Sequence, residues 1–134
     1  QFTHVGGIGA GQVAKAANQI IVGLNIGAVA EAMALVEAAG VDPAKVREAL
    51  LGGFAGSRIL EVHGQRMIDR AFKPGARVTT QYKDMRQACE LGARLGQALP
   101  ATELGRDLFL RLIEQGDGDL DHSALIRVLQ KPRG

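Results

Sequence analysis

Aromatic residues are scarce in this sequence, and tryptophan is absent. Of the 134 residues, 4% are aromatic, although 46% are hydrophobic. Proteins that bind single-stranded nucleic acid stack the bases on aromatic side chains beside a basic groove. Here acidic and basic residues alternate, and the net charge is only +2. We therefore expect no nucleic-acid partner, and a core of small aliphatic residues in which helices approach closely.

Cysteine is almost as scarce. Cys89 is the only one, so no disulfide can form within the chain, and no metal-ligating residue stands at short spacing from it. We therefore predict a reducing, cytoplasmic location and no metal site. A histidine on an amphipathic helix is more often a surface or half-buried residue than a ligand, which is our expectation for His63. His122 is expected to lie in a helix-start cap with Asp121 or Ser123.

Sequence signals for secretion and for membranes are missing as well. No basic segment precedes the apolar stretch, so a signal peptide is not predicted. Residues 20–39 are apolar enough to be considered as a membrane span. They include Glu31 and Glu37, however, and each carboxylate is costly in lipid. We expect a buried helix of a soluble domain and no membrane partner.

Two glycine-containing segments lack the spacing of a ligand-binding loop. The glycines at positions 6, 7, 9 and 11 fit no register of G-x-G-x-x-G, and no strand precedes them. Residues 117–121 resemble the opening of a calcium loop, but His122 stands where that loop needs glycine and Val128 where it needs glutamate. A solvated turn is therefore predicted there.

What the sequence does contain is helical periodicity, in about six segments. Asp42 and Ser57 are typical N-caps, Gly40 is a typical residue after a helix end, and Thr79 or Thr80 is expected to cap a further helix. The predicted helices span residues 11–39, 43–51, 58–70, the segment from the threonine cap to 95, 100–115 and 122–130. We therefore predict an all-α helical bundle around one long central helix.

The long helix is apolar over nearly its whole circumference, as expected of a helix packed on several sides. Gly23 and Gly27 lie on one of its faces. Glycine inside a helix costs about 1 kcal/mol relative to alanine, so the pair predicts a close crossing by another helix. Candidate core residues in the later helices are Met85, Ala88, Cys89, Leu91, Leu95, Leu104, Leu108, Leu112 and Ile113.

A row of polar side chains occupies the first turns of the long helix. At about 100° per residue, Gln12, Lys15, Asn18 and Gln19 converge on one broad side. A lysine amine beside amides could bind an oxygen-rich small molecule and exchange a proton with it. A lysine near a helix end is more often simply solvated, so spacing alone leaves both interpretations open.

The same stretch, residues 11–19, resembles the G-x-x-x-K-x-x-N-[NQ] segment of the β-hydroxyacid dehydrogenases. This family includes 3-hydroxyisobutyrate dehydrogenase, tartronate semialdehyde (2-hydroxy-3-oxopropionate) reductase and the 6-phosphogluconate dehydrogenases. Further matching segments follow in the same order: Gly-Gly-Phe-Ala at 52–55, Lys-Asp at 83–84 and Asp-His-Ser-Ala at 121–124. The resemblance covers essentially the whole chain and is greatest to the tartronate semialdehyde reductase branch.

The resemblance implies a fold and a set of roles. Residues 1–134 would form the C-terminal helical substrate and dimerisation domain, like that of 6-phosphogluconate dehydrogenase, with the N-terminal Rossmann domain absent from this chain. Lys15 would be the catalytic acid/base, Asn18 and Gln19 would bind the substrate, and Lys83 would lie near the cofactor.

The resemblance also implies partners. The cofactor would be NAD or NADP, bound mainly by the absent domain, so the chain alone is expected to be inactive. The substrate would be a small hydroxyacid or semialdehyde, and the protein would be a homo-oligomer through this domain. The alternative from a different class is a helical dimerisation module without catalysis.

Overall fold

The computed structural model of the protein describes residues 9–130, so the glycines at 6 and 7 lie outside the described residues. Within this range no strand forms, and one isolated antiparallel bridge joins Arg77 to Asp121. The all-α prediction is therefore confirmed. The helices are α1 (Ala10–Ala38), α2 (Pro43–Leu51), α3 (Arg58–Asp69), α4 (Val78–Arg94), α5 (Pro100–Glu114), a 3₁₀ helix (His122–Leu125) and α6 (Ile126–Leu129).

Several helix ends lie where the capping residues predicted them. The Asp42 carboxylate accepts from the Ala44 amide at 3.0 Å, and the Ser57 hydroxyl accepts from the Leu60 amide at 2.9 Å. Each bond satisfies one amide that has no partner inside its own helix. After α1, Gly40 adopts φ of 75°, a left-handed conformation that glycine takes without steric cost.

The predicted start of α4 was wrong. Neither Thr79 nor Thr80 is the cap, because the helix begins at Val78 and its N-cap, Arg77, makes no side-chain capping bond. The first free amides of α4 instead donate to loop carbonyls: Val78 to Leu120 at 2.9 Å and Thr79 to Gly118 at 3.1 Å. A distant loop thus does what a local hydroxyl was expected to do.

The core forms where α1 packs against α3, α4, α5 and the C-terminal 3₁₀ and α6 segments. Two predicted core residues are exposed: Leu95 follows the end of α4, and Leu104 lies one residue off the buried face of α5. Cys89, Leu91, Leu108 and Ile113 are partly buried. The fully buried hydrophobic side chains include Ile26, Met33, Met67, Val78, Met85, Phe109, Leu112, Leu125 and Ile126.

The close crossing predicted for the long helix occurs at one of its two glycines. A Cβ on Gly23 would lie 2.5 Å from the Met85 sulfur. Met85 also fills the space beside Gly105, where a Cβ would meet its terminal methyl at 3.0 Å, so one methionine packs between α1 and α5. Gly27 has no such contact, since its nearest neighbour would be a Leu125 methyl at 4.0 Å.

The long helix is buried along one broad side rather than all round. Its buried residues all lie between Gly23 and Met33. Val13, Ile21 and Leu35 remain 48%, 67% and 72% exposed and fall within one sector of about 80° on the helix. By length and composition α1 could cross a membrane, and the core helix of a soluble protein passes the same test.

Candidate functional site

A cleft of about 610 Å³ runs between the first turns of α1 and the part of α4 from Asp84 to Arg94. Lys15 and Gln19 line it from α1. Asp84, Glu90 and Arg94 line it from α4. Lys15 and Gln19 are four positions apart, as are Glu90 and Arg94, so each pair shares one face of its helix. The cleft therefore has an amine, an amide and charges of both signs on facing walls.

Hydrogen bonds connect the two walls. The Asn18 amide donates to the Gln19 side-chain oxygen at 2.8 Å, and the Gln19 amide donates to the Asp84 carboxylate at 2.7 Å. Gln19 is thereby held at both ends of its amide, and an ionised acceptor makes the second bond the stronger one. Asp84 was not predicted as a site residue. It is 65 positions from Gln19, and only the packing of α4 on α1 brings the two together.

The predicted site residues do not all reach the cleft. Lys15 is exposed and lies on its wall, where the amine is open to a ligand. Asn18 is exposed and is joined to the cleft through Gln19. Lys83 is also exposed, but it is not among the residues that line the cleft, whereas its neighbour Asp84 is. In this chain the cleft unites Lys15 with Gln19 and leaves Lys83 beside it.

The arrangement suits proton exchange with a small polar ligand. The Lys15 amine carries protons that an oxygen within reach could accept, and Gln19 is fixed by Asp84 rather than free to rotate. Fixed polar groups beside an exchangeable proton are the minimum that general acid/base catalysis requires. One side of the cleft is open, so these residues form only part of an enclosed site.

A second polar cluster lies at the start of the 3₁₀ helix, and its centre is the fully buried Asp121. One carboxylate oxygen accepts from the Gly75 amide at 3.2 Å, the Ala76 amide at 3.1 Å and the Arg66 guanidinium at 2.8 Å. The other accepts from the Ser123 amide at 3.0 Å and hydroxyl at 2.5 Å. Burial alone would raise the pKa of Asp121, but the hydrogen bonds from Ser123 and Ala76 outweigh it and hold the pKa well below its usual range.

Two histidines adjoin this carboxylate. The Nε2 atoms of His63 and His122 are 3.0 Å apart, and the His63 Nδ1 lies 3.7 Å from Asp121. Burial lowers the pKa of both rings, that of His122 to about 4, with Asp121 opposing the shift and Arg66 adding to it. The predicted cap is present, because Asp121 caps the helix through the Ser123 amide. The contact between the histidines, 59 positions apart, gave no signal in the sequence.

Comparison with known proteins identifies the family. Residues 9–129 match the family described as NAD-binding of NADP-dependent 3-hydroxyisobutyrate dehydrogenase. The chain belongs to this family. The resemblance inferred from residues 11–19 and the later motifs is thereby confirmed.

Individual members of this dehydrogenase family are similar over nearly the whole chain. The 2-hydroxy-3-oxopropionate reductase of Escherichia coli (strain K12) is 51% identical over 129 residues, which are 96% of this chain and 44% of that protein. A crystal structure of 3-hydroxyisobutyrate dehydrogenase from Salmonella typhimurium superposes with a TM-score of 0.86 at 28% identity, covering 90% of this chain and 42% of that one. The Mycobacterium tuberculosis 3-hydroxyisobutyrate dehydrogenase with L-serine gives a TM-score of 0.85 at 28% identity, covering 96% and 46%. The chain thus spans less than half the length of these relatives.

Proposed function

We propose that this chain is the helical part of an NAD(P)-dependent β-hydroxyacid dehydrogenase, and that Lys15 is its catalytic acid/base. The observation that supports the proposal is the α1–α4 cleft, which places Lys15 beside a fixed amide within a fold shared by dehydrogenases. The nicotinamide, when bound, would supply or accept the hydride at the carbon that bears the substrate oxygen. Its binding domain would lie outside these 134 residues.

The proposed role of Lys15 follows from the charge that develops during reduction. As a carbonyl carbon gains hydride, its oxygen becomes an alkoxide, and the Lys15 ammonium donates a proton to that oxygen. In oxidation the neutral amine takes the hydroxyl proton back. A positioned acid or base of this kind contributes about 10²–10⁴-fold in rate.

The other cleft residues would hold the substrate. Asn18 and Gln19 offer amide groups to a hydroxyl or carboxylate, and the bond from Gln19 to Asp84 fixes its orientation. Lys83 lies outside the cleft wall, where a cation suits a cofactor bound across the open side. The substrate we propose is 2-hydroxy-3-oxopropionate, supported by the 51% identity to a reductase of that name. A cytoplasmic location would keep Cys89 as the free thiol observed.

Replacing Lys15 tests this assignment. In the full-length protein, Lys15→Gln should lower kcat by about 10²–10⁴-fold, since glutamine keeps a polar side chain but cannot donate the proton. Lys45→Gln, on an exposed position of α2 outside the cleft, is the matched control and should leave kcat unchanged. The measurement is hydride transfer with 2-hydroxy-3-oxopropionate, compared with 3-hydroxyisobutyrate. Full turnover by Lys15→Gln would exclude this lysine as the acid/base.

A second function is supported by the surface of α1. Val13, Ile21 and Leu35 form an exposed apolar stripe, and exposed apolar surface of this kind is typical of interfaces. We propose that the chain forms homo-oligomers through this stripe, with or without catalysis. Ile21→Glu should lower the oligomeric state measured by sedimentation, while Leu95→Glu, at an equally exposed leucine on α4's end, should not. If both variants sediment like the parent protein, the stripe is not the interface.

A further inference from the structure

The second polar cluster holds two histidines whose protonation can be worked out from their neighbours. His63 belongs to α3 and His122 to the 3₁₀ helix, while Gln81 approaches them from α4. The His122 Nδ1 lies against the Gln81 side chain, and the His63 Nδ1 lies near the Asp121 carboxylate. The position of the ring protons follows from these neighbours.

The tautomer of His122 is determined through Gln81. The Gln81 side chain meets the backbone carbonyl of Gln19 at 3.4 Å, and a carbonyl can only accept, so the Gln81 amide nitrogen faces it. The Gln81 oxygen must then face His122 Nδ1, at 3.3 Å. Because that oxygen also only accepts, the ring carries its proton on Nδ1. The Nε2 atom of His122 is therefore unprotonated and carries a lone pair.

The tautomer of His63 is determined by Asp121. Its Nδ1 is buried, has no hydrogen-bond partner and lies 3.7 Å from an ionised carboxylate oxygen. A lone pair in that position would face a negative charge, so the proton belongs on Nδ1. The Nε2 atom of His63 is then also unprotonated and carries a lone pair. Two nitrogen lone pairs consequently meet across 3.0 Å inside the protein.

The geometry of the rings shows where these lone pairs point. The rings are nearly perpendicular, at 85°, and their centroids are 4.6 Å apart. That distance is shorter than the nitrogen separation plus the two ring radii. The two nitrogens therefore do not point straight at each other, as the donor and acceptor of a linear hydrogen bond would, and lone pairs inclined in this way can share one ion. Two ligands about 2.0–2.1 Å from one tetrahedral zinc are separated by a little over 3 Å.

We propose that His63 and His122 bind one Zn²⁺, or a similar borderline-soft divalent ion, through their Nε2 atoms, with solvent completing the coordination. Metal-ligating histidines usually donate their other N–H to a carboxylate or an amide oxygen. Here the Gln81 oxygen is that acceptor for His122, and the Asp121 carboxylate faces the His63 N–H at 3.7 Å, as a neighbouring charge rather than a hydrogen-bond partner. Asp121 does not itself ligate, because five donors already fill its oxygens. The His63 side chain is 12% exposed, which gives the ion a way in from solvent.

Charges around the site limit its affinity. Asp121 favours a cation, whereas the Arg66 guanidinium, bonded to the same carboxylate, opposes one. With only two protein ligands, the site should bind zinc more weakly than a closed four-ligand site. Its effect would be structural, because the ion would join α3 to the 3₁₀ helix and thereby to Gln81 on α4. The proposal is independent of the catalytic role of Lys15, and it departs from the sequence-based expectation of no metal site.

Zinc titration of the full-length protein tests the proposal. Calorimetry with Zn²⁺ alone should show one ion per chain at this site, and the melting temperature should rise with zinc and return with EDTA. His63→Gln and His122→Gln should each weaken binding by more than about 10-fold, since each removes a ligand. The control combines His4→Gln with Cys89→Ser, which removes the other soft ligands and should leave the affinity unchanged. Equal affinity in the histidine variants would overturn the proposal.

A measurement on the unmodified protein covers the case in which the histidine variants do not fold. Crystals soaked in Zn²⁺ should give an anomalous scattering peak about 2.1 Å from both Nε2 atoms. The absence of a peak there under saturating zinc, or a peak only at other residues, would refute the site.

Discussion

The amide variant Asp121→Asn should destabilise the protein by about 1–4 kcal/mol, although it changes the side chain by one atom. The carboxylate is fully buried and has only donors around it: three on one oxygen and two on the other. In asparagine one oxygen becomes an N–H₂ group, which must face one of these sets of donors. The less costly orientation turns the amide toward Ser123, whose hydroxyl can rotate to accept.

The magnitude follows from what that orientation leaves unpaired. The buried Ser123 amide loses its acceptor, and this bond is also the N-cap of the helix, so the loss is about 1–3 kcal/mol. The charge of Arg66 loses its partner, but its side chain is 35% exposed, so solvent screening keeps that loss below about 1 kcal/mol. No cavity forms, because the two side chains have nearly the same volume. The sum of these losses is the expected destabilisation of about 1–4 kcal/mol.

Urea unfolding followed by circular dichroism at about 222 nm is a suitable assay, since helices are the dominant secondary structure of the described residues. The matched control is Asp119→Asn, an exposed carboxylate two residues away, which should stay within about 0.5 kcal/mol of the parent protein. If the two variants have the same urea midpoint, the hydrogen bonds to Asp121 do not stabilise the protein as we infer.

Acid provides a second test of the same reasoning. The folded pKa of Asp121 is depressed, so its contribution is fully present above the unfolded pKa of about 3.9 and is lost as pH falls toward the folded value. The asparagine side chain of the variant does not titrate. The gap in stability between the parent protein and Asp121→Asn should therefore narrow below about pH 4. A gap that stayed constant would mean that the ionised carboxylate is not its source.

Two further predictions concern the histidine pair and the Gly-Gly-Phe-Ala loop. With EDTA present, the free energy of unfolding should fall as the pH is lowered from about 6.5 to about 4, because the histidines bind protons more readily in the unfolded chain than in the folded protein. For His122, whose pKa is about 4 in the folded protein, this loss approaches about 3 kcal/mol. Urea midpoints that do not change across this pH range would contradict the prediction. Gly56→Ala should destabilise the protein by about 1–3 kcal/mol, because its Cβ would lie 2.7 Å from the Leu51 carbonyl oxygen. The control Gly53→Ala, whose Cβ would have no atom within 4 Å, should leave the melting temperature unchanged. Equal melting temperatures for the two variants would show that the loop can relax.

Much of the fold could be predicted because its signals are local. Asp42, Ser57 and Gly40 each act on amides or carbonyls within a few residues, so the sequence alone places those helix ends. The start of α4 could not be placed in this way. Its amides bond to the carbonyls of Gly118 and Leu120, which come about 40 positions later and come near α4 only after folding.

The residues of the candidate site also differ in whether local sequence signals could predict them. The row Lys15, Asn18 and Gln19 is visible in the sequence because helical spacing fixes it, and the family motif lies on the same residues. Asp84 as the partner of Gln19 is not visible, because it depends on the crossing of α4 over α1. Lys83 is the opposite case. The family motif includes it, but in the folded helix its neighbour Asp84, and not Lys83, lines the cleft.

By itself, the sequence determined an all-α domain, its family and the lysine at the start of the long helix, because periodicity, caps and motif spacing are properties of neighbouring residues. Only the tertiary structure decided which groups share a site across long separations: Gln19 with Asp84, and His63 with His122 beside Asp121. Buried polar groups select partners by donor and acceptor geometry, and that geometry exists only once the helices are packed.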